Sequence, residues 1–308
     1  MVKIKTICRD QNDYKRSTNT EIEKVFRNNS QTIHKFAKPR EYIRALNAVK
    51  LEKIFAKPFI AALNYHTDGV KCMAKNNKNL SEIVSGAFDG QIILWDLPKK
   101  KPMITIGGAH NFVKGICFTN TGDGFISAGD DQTINIWNKS SLFKQKESQR
   151  NNITFSNFNL DLENPTYYTY KPTTILSTPG FIDSVDHSYG EKLFATGGTI
   201  VAVWNYEKSS PLISFKNSVD GFMKVKFNPV DHNILLSTGY DRSINLYDLR
   251  TNNPMKMTSM LNKSAAACWN PQEPFNFTVG NEDSNCYTFD MRRLEKIKMI
   301  HKDHIQAV

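Results

Sequence analysis

From about residue 60 onward the apolar positions come in short runs with the two-residue period of β-strands, each run behind a turn signal. Asp89-Gly90 starts a hairpin ahead of Ile92 and Leu94, whose counterparts Ile134 and Ile136 alternate with Thr133 and Asn135. The line Ser85-Gly-Ala-Phe-Asp89-Gly-Gln-Ile-Ile-Leu-Trp95-Asp96 returns as Ser127-Ala-Gly-Asp-Asp131-Gln-Thr-Ile-Asn-Ile-Trp137-Asn138. It returns again as Ser237-Thr-Gly-Tyr-Asp241-Arg-Ser-Ile-Asn-Leu-Tyr247-Asp248. A weaker copy runs from Val279 to Asp290, and a degenerate one from Ala195 to Asn205. In four copies the aspartate stands six residues before the aromatic. The aromatics Trp95, Trp137, Trp204, Tyr247 and Phe289 are 42, 67, 43 and 42 residues apart.

Three of these four intervals fit the period of WD40 repeats, about 40–45 residues. One four-stranded unit cannot bury both its faces. Units stacked radially can, so the fold class is all-β, a WD40 β-propeller over 59–308. Blades 1–5 and the start of a sixth are expected. The extra 25 residues between Trp137 and Trp204 are placed in a surface-loop insertion over about 139–178.

Ahead of the repeats lies a different pattern. Pro39 suits a first helical turn, and Tyr42, Leu46, Val49 and Lys53 follow the helical period. This predicts a helix over about 39–55, packed by one face, within an N-terminal arm of residues 1–58. Arg40, Arg44 and Lys50 fall largely elsewhere, as a basic face for a polyanion or as the solvated side of a docking helix. Residues 1–35 are polar and read as flexible.

Charge sharpens that division. The 308 residues carry 40 Lys+Arg against 30 Asp+Glu, a net +10, of which +8 lies in residues 1–60. A nearly neutral body with a basic arm points to nucleic acid; a solvated leader is the other reading. No apolar run is long enough to span a membrane, and no secretory signal is expected. Cys8, Cys72, Cys117, Cys268 and Cys286 are odd in number and scattered, which fits a reduced intracellular protein without a disulfide framework or zinc site.

Two sets of residues could be mistaken for catalytic groups: His66, Ser85, Asp89, Trp95 and His110, Ser127, Asp131, Trp137. They recur with the repeat, whereas a catalytic triad occurs once per site. They are therefore read as hydrogen-bond chains tying turn to strand. No phosphate-binding loop, dinucleotide fingerprint, zinc-protease motif or nucleophile elbow is present. No catalytic, cofactor or metal site is expected. His301-Lys-Asp-His304 reads as the opening of a sixth blade, as His66-Thr-Asp-Gly-Val70 opens the first.

The leader Arg40-Glu-Tyr-Ile-Arg-Ala-Leu-Asn-Ala-Val-Lys-Leu-Glu-Lys-Ile-Phe-Ala-Lys-Pro-Phe59 strongly resembles that of the Sof-type WD-repeat ribosome-biogenesis factors. In animals this family is called DDB- and cullin-associated factor thirteen. Leu246 to Pro254, Cys268 to Phe277, Asn281 to Asp283 and Asp290 to Arg292 are similar to the same family, as is Lys3 to Ile7. The resemblance implies a seven-bladed propeller in the nucleolar small-subunit processome. There it would associate with processome proteins, pre-rRNA and the U3 small nucleolar ribonucleoprotein, and support 18S rRNA maturation. It also implies a second role, as substrate receptor of a cullin-type E3 ubiquitin ligase. RNA or partner contacts are expected from Lys38, Arg40, Arg44, Lys50, Lys53 and Lys57. A ligase adaptor would be met by the Asp-x-Arg pairs Asp248, Arg250 and Asp290, Arg292, or these arginines cap their own turns. The chain stops where a sixth blade opens, without the family's basic C-terminal tail. An open arc of about five blades is expected, with Phe59–Leu63 as a closing strand that lacks its partner.

Overall fold

The computed structural model describes residues 36–55, 60–153, 170–251, 253–302, 304, 307 and 308. The chain divides into two units, Met1–Ala62 and Leu63–Val308.

The first unit holds helix α1, Ala37–Phe55. Pro39 sits in its first turn, where no intrahelical donor is needed. The expected stripe is only partly covered: Leu46 and Val49 are half-buried, but Tyr42 is 63% exposed. Ala45 is buried, while Ile43 and Leu51 lie in solvent. The helix is present, but its apolar residues do not gather on one packed face: of the expected stripe Tyr42 and Lys53 are exposed and only Leu46 and Val49 are half-buried. Residues 1–35, read as flexible, lie outside the described residues.

The second unit is five four-stranded antiparallel sheets. The first contains β1 (Val70–Lys75), β2 (Glu82–Ala87), β3 (Ile92–Asp96) and β4 (Lys101–Ile106). The second contains β5 (Val113–Phe118), β6 (Gly124–Gly129), β7 (Thr133–Asn138) and β8 (Thr174–Ser177). The third contains β9 (Ile182–His187), β10 (Leu193–Gly198), β11 (Val201–Asn205) and β12 (Ile213–Phe215). The fourth contains β13 (Phe222–Phe227), β14 (Ile234–Gly239), β15 (Ser243–Asp248) and β16 (Pro254–Ser259). The fifth contains β17 (Ala266–Trp269), β18 (Asn276–Gly280), β19 (Cys286–Asp290) and β20 (Ile297–His301).

Each repeat aromatic lies near the end of the third strand of its sheet, and all five are at most 2% exposed. They are buried because the sheets cover one another. Ile116 and Phe118 of β5 join Val84, Leu94 and Ile104 of the first sheet in one apolar core. Cys117, Ile126 and Ile134 meet Val185, Phe194 and Trp204 in the next. Two further cores join the third sheet to the fourth and the fourth to the fifth. The inner strands follow suit, with β5 against β1 and β9, and β13 against β9 and β17.

Small residues set the closeness of this packing. A Cβ on Gly86 would lie 2.5 Å from Val113 of the next sheet, and one on Gly197 2.4 Å from Val225. Gly280 is covered in the same manner by Val308, 2.8 Å away, whose N–H donates to Asn281 O at 3.2 Å.

The 139–178 insertion is not a loop throughout. It opens with helix α2, Lys139–Ile153, capped by Asn138, whose Oδ1 accepts from Ser140 N at 3.0 Å. Leu142 anchors α2 in the first core, and Lys146 Nζ donates to Met103 O on the outer edge strand β4. A free strand edge is thereby covered. Residues 154–169 lie outside the described residues. Residues 60–63 carry no strand. A strand exists through its hydrogen-bonded neighbour, and among the described residues none lies beside them. His301, expected to open a sixth blade, instead ends β20, its Nε2 3.1 Å from Thr288 Oγ1.

Candidate interaction sites

The second blade shows the full hydrogen-bond chain. Trp137 Nε1 donates to Ser127 Oγ at 2.9 Å, and Ser127 Oγ lies 2.8 Å from His110 Nε2. His110 Nδ1 stands 3.0 Å from Asp131 Oδ1. With Asp131 ionised, the imidazole proton belongs on Nδ1, and Nε2 accepts from the serine hydroxyl. This is the order of a serine nucleophile, its base and an orienter. Yet Ser127 is fully buried and its oxygen already accepts from tryptophan, so no substrate carbonyl can approach it. The set satisfies buried polar groups between turn and strands.

In the first blade the chain is rearranged. Trp95 Nε1 donates to Ser85 Oγ at 2.7 Å, and His66 Nε2 lies 2.6 Å from the same oxygen. Asp89 accepts instead from Thr67 Oγ1 at 2.5 Å. Burial lowers the pKa of both His66 and His110, more than their neighbouring aspartates raise it. The later blades keep less of the set. Trp204 donates to Thr196 Oγ1 at 2.9 Å in the third, and Ser237 to Tyr247 Oη at 3.2 Å in the fourth.

What the aspartates share is the turn. Asp89, Asp131, Asp241 and Asp283 each accept from the backbone N–H two residues on, at 2.9–3.3 Å. The residue between is left-handed in every case: Gly90 (φ 76°), Gln132 (60°), Arg242 (66°) and Ser284 (64°). The repeated aspartate therefore holds a strained hairpin residue in place.

The two Asp-x-Arg pairs differ. Arg292 folds back on Asp290 in a bidentate pair, Nε to Oδ1 at 3.0 Å and Nη2 to Oδ2 at 2.8 Å. It also lies 4.7 Å from the centre of the Phe275 ring. It caps its own turn. In the other pair Asp248 accepts from Arg250 N at 3.0 Å. The Arg250 side chain is exposed, and its guanidinium has no partner among the described residues.

On α1, Lys38, Arg40, Lys50 and Lys53 are exposed. Arg44 is on the same helix, its side chain outside the described set, and Lys57 lies outside the described residues. The first turn of α1 carries no acidic residue, and Glu41 follows it directly.

Sequence reading missed the ties between sheets. Lys139 Nζ meets Glu82 Oε2 at 2.5 Å, and Lys226 Nζ meets Asp186 Oδ1 at 2.7 Å, with Phe227 N on the other carboxylate oxygen at 2.8 Å. These partners are 57 and 40 residues apart, and no local pattern marks them. Asp186 raises the pKa of Lys226 against its burial. Among the described residues no three His, Cys, Asp or Glu side chains cluster to hold a metal ion, and no helix is long and apolar enough to cross a membrane.

Comparison with known proteins matches residues 57–96 and 100–138 to the WD domain, G-beta repeat. The whole chain is 40% identical to DDB1- and CUL4-associated factor 13 of Danio rerio and covers 64% of it. It is 38% identical to the Homo sapiens protein of that name over 307 residues, again 64% of its length. To Protein SOF1 of Saccharomyces cerevisiae it is 34% identical over 319 aligned positions, spanning 63% of that protein. Similarity to SOF1 at one end of this range and to the animal proteins at the other runs through arm and blades alike, and the chain spans a little under two thirds of the length of these Sof-type WD-repeat relatives.

Proposed function

We propose that the chain is a non-catalytic scaffold of the small-subunit processome in the nucleolus. In this reading it works with the U3 small nucleolar ribonucleoprotein in pre-rRNA processing and 18S rRNA maturation. The observation that carries the reading is similarity to SOF1 along the whole of this chain, arm included, over 63% of SOF1. The exposed bases of α1 support it: Lys38, Arg40, Lys50 and Lys53 stand in water, where they can meet phosphates. The blades supply rigid faces for protein partners. Affinity purification from nuclear extract is the test. Processome proteins and U3 RNA in the eluate are expected; their absence overturns the reading. For the arm, neutralising ~4 phosphates of single-stranded RNA gives a log–log salt slope of about −3. Replacing Lys38, Arg40, Arg44, Lys50, Lys53 and Lys57 with Ala should flatten it.

A second reading has its own observation. The unpaired Arg250 guanidinium, beside a turn fixed by Asp248, can pair with an adaptor carboxylate of a cullin-type ligase. The name of the animal relatives favours this reading. Arg250→Ala should abolish co-purification of an adaptor, whereas Arg292→Ala should not, because Arg292 is committed to Asp290.

A further inference from the structure

The turn-side joints between neighbouring blades repeat one arrangement with one change. Phe88 and Tyr240 hold the same place in the repeat, each directly before its turn aspartate, Asp89 or Asp241. Phe112 and Lys263 share another place. Each accepts at its carbonyl oxygen from the turn of its own blade, Phe112 O from Asp130 N at 3.1 Å and Lys263 O from Glu282 N at 3.0 Å. Where the fourth blade meets the fifth, Lys263 Nζ lies 5.6 Å from the centre of the Tyr240 ring. The chain there supplies its own cation to an aromatic face. Where the first blade meets the second, Phe112 stands in the lysine's place and meets Phe88 edge to face at 6.4 Å. Phe88 and Phe112 are 39% and 46% exposed, and among the described residues no cation lies over either ring.

Carboxylates gather at the same joint. Phe88 N donates to Gly69 O at 3.0 Å, which brings Asp68 to the first ring, and Asp89 follows Phe88 directly. Asp130 is held to Phe112 by its own N–H. All three aspartates are exposed. Asp68 and Asp89 accept from backbone N–H groups of their turns at 2.7 and 2.9 Å. The side chain of Asp130 is 47% exposed, and its cation, Lys114, is 3.8 Å away and nearer to Asp183 at 3.6 Å. Lys71, two residues past Gly69, is the other lysine of these turns. Three carboxylates thus stand against two lysines, one of them shared, and Asp183, Asp220 and Glu282 carry the same sign around the face. In a chain of net +10 these turns have the opposite charge. A phosphodiester would meet like charge here. A guanidinium meets opposite charge, and being planar it can lie along a ring while its edge donates to a carboxylate.

We propose that the joint between the first two blades binds an arginine side chain in a peptide segment of a partner protein. The guanidinium lies on the Phe88–Phe112 pair and pairs with Asp130, with Asp68 and Asp89 adding to the attraction. The site is separate from the basic arm and from Arg250, and it does not depend on the scaffold reading.

The test uses random dodecapeptides displayed on phage, selected on the immobilised 308-residue protein and counter-selected on Phe112→Lys. That variant copies the Tyr240–Lys263 joint, so its own ammonium fills the place of the guest. Peptides that survive both steps should carry arginine. The synthetic form of the strongest should lose at least tenfold in affinity when its arginine becomes citrulline. It should lose as much against Phe88→Leu, which keeps the bulk but not the ring face, and against Asp130→Asn, which keeps the backbone bond and leaves Lys114 to Asp183. Thermal midpoints of parent and variants show that the loss is one of binding. Survival of no peptide, survivors without arginine, or unchanged affinity for Asp130→Asn overturns the proposal. So does a 12-nucleotide oligouridylate that binds the parent and is lost in Phe88→Leu, which would assign the aromatic pair to RNA.

Discussion

His110 Nδ1 faces Asp131 at 3.0 Å, while its other nitrogen faces a serine that tryptophan already engages. The aspartate therefore orients a ring whose task is structural. Asp131→Ala should leave the buried imidazole donor with Thr133 Oγ1 alone, 3.2 Å away, and lower stability by about 1–3 kcal/mol. Urea unfolding followed by tryptophan fluorescence measures it; no chemical activity should change with it.

Burial lowers the pKa of His66, His110 and His187 from the ordinary value of 6.5. Protonation then favours the unfolded chain. Their contribution is complete above pH 6.5 and is lost as the pH falls below it. The urea midpoint should be level from pH 8 to about 7 and drop toward pH 5.5. The drop should be smaller in His110→Gln.

The hairpin turns give opposite outcomes for glycine. Gly90 is left-handed at φ 76°, and a Cβ there would lie 1.7 Å from His110 O, so Gly90→Ala should destabilise by more than about 1 kcal/mol. Gln132 holds the same conformation at φ 60° with a side chain. Gln132→Gly relieves that strain and should be neutral or stabilising by up to about 1 kcal/mol. Thermal unfolding of both variants shows the contrast.

Glu82 and Lys139 tie α2 to the first sheet with side chains only 12% and 15% exposed. Removing the lysine leaves a largely buried carboxylate, still bonded to Asn76 Nδ2 and Asn79 Nδ2. Lys139→Met should cost about 2–3 kcal/mol, and adding Glu82→Gln should recover part of it. A double-mutant cycle in urea gives the coupling.

Thiol reactivity should follow burial. Cys268 is exposed, whereas burial raises the Cys72 pKa to about 12 and that of Cys117 well above its usual value. Iodoacetamide at pH 8 should modify Cys268 in the native protein. Cys72 and Cys117 should react only after denaturation, as peptide mass spectrometry will show.

The blades were legible because each is a local object. A strand period, an aspartate that holds a left-handed turn and an aromatic six residues later all lie within one hairpin, as at Asp131 and Trp137. What lay between blades was not. The Lys139–Glu82 and Lys226–Asp186 pairs depend on which sheets become neighbours. Helix α2 was hidden by its composition: Leu142 and Phe143 are its only strongly apolar residues among Lys139–Arg150, and one anchor suffices because β4 already offers a surface. Asn138 at its start was the available signal. The Ser-His-Asp sets were legible as repeats, but not that the first would pass its aspartate to Thr67.

The glycine gaps at Gly86 and Gly197 show how blade order is written. Each gap is cut in one sheet and filled by a valine of the sheet that follows, Val113 or Val225. Neighbour choice is thus an asymmetric lock, with the receiving half always made earlier in the chain. A ribosome releasing this sequence would present each finished gap before its key emerged, so construction can proceed one blade at a time in the direction of synthesis. Enlarging Gly86 would therefore harm the joint between two blades more than the interior of either.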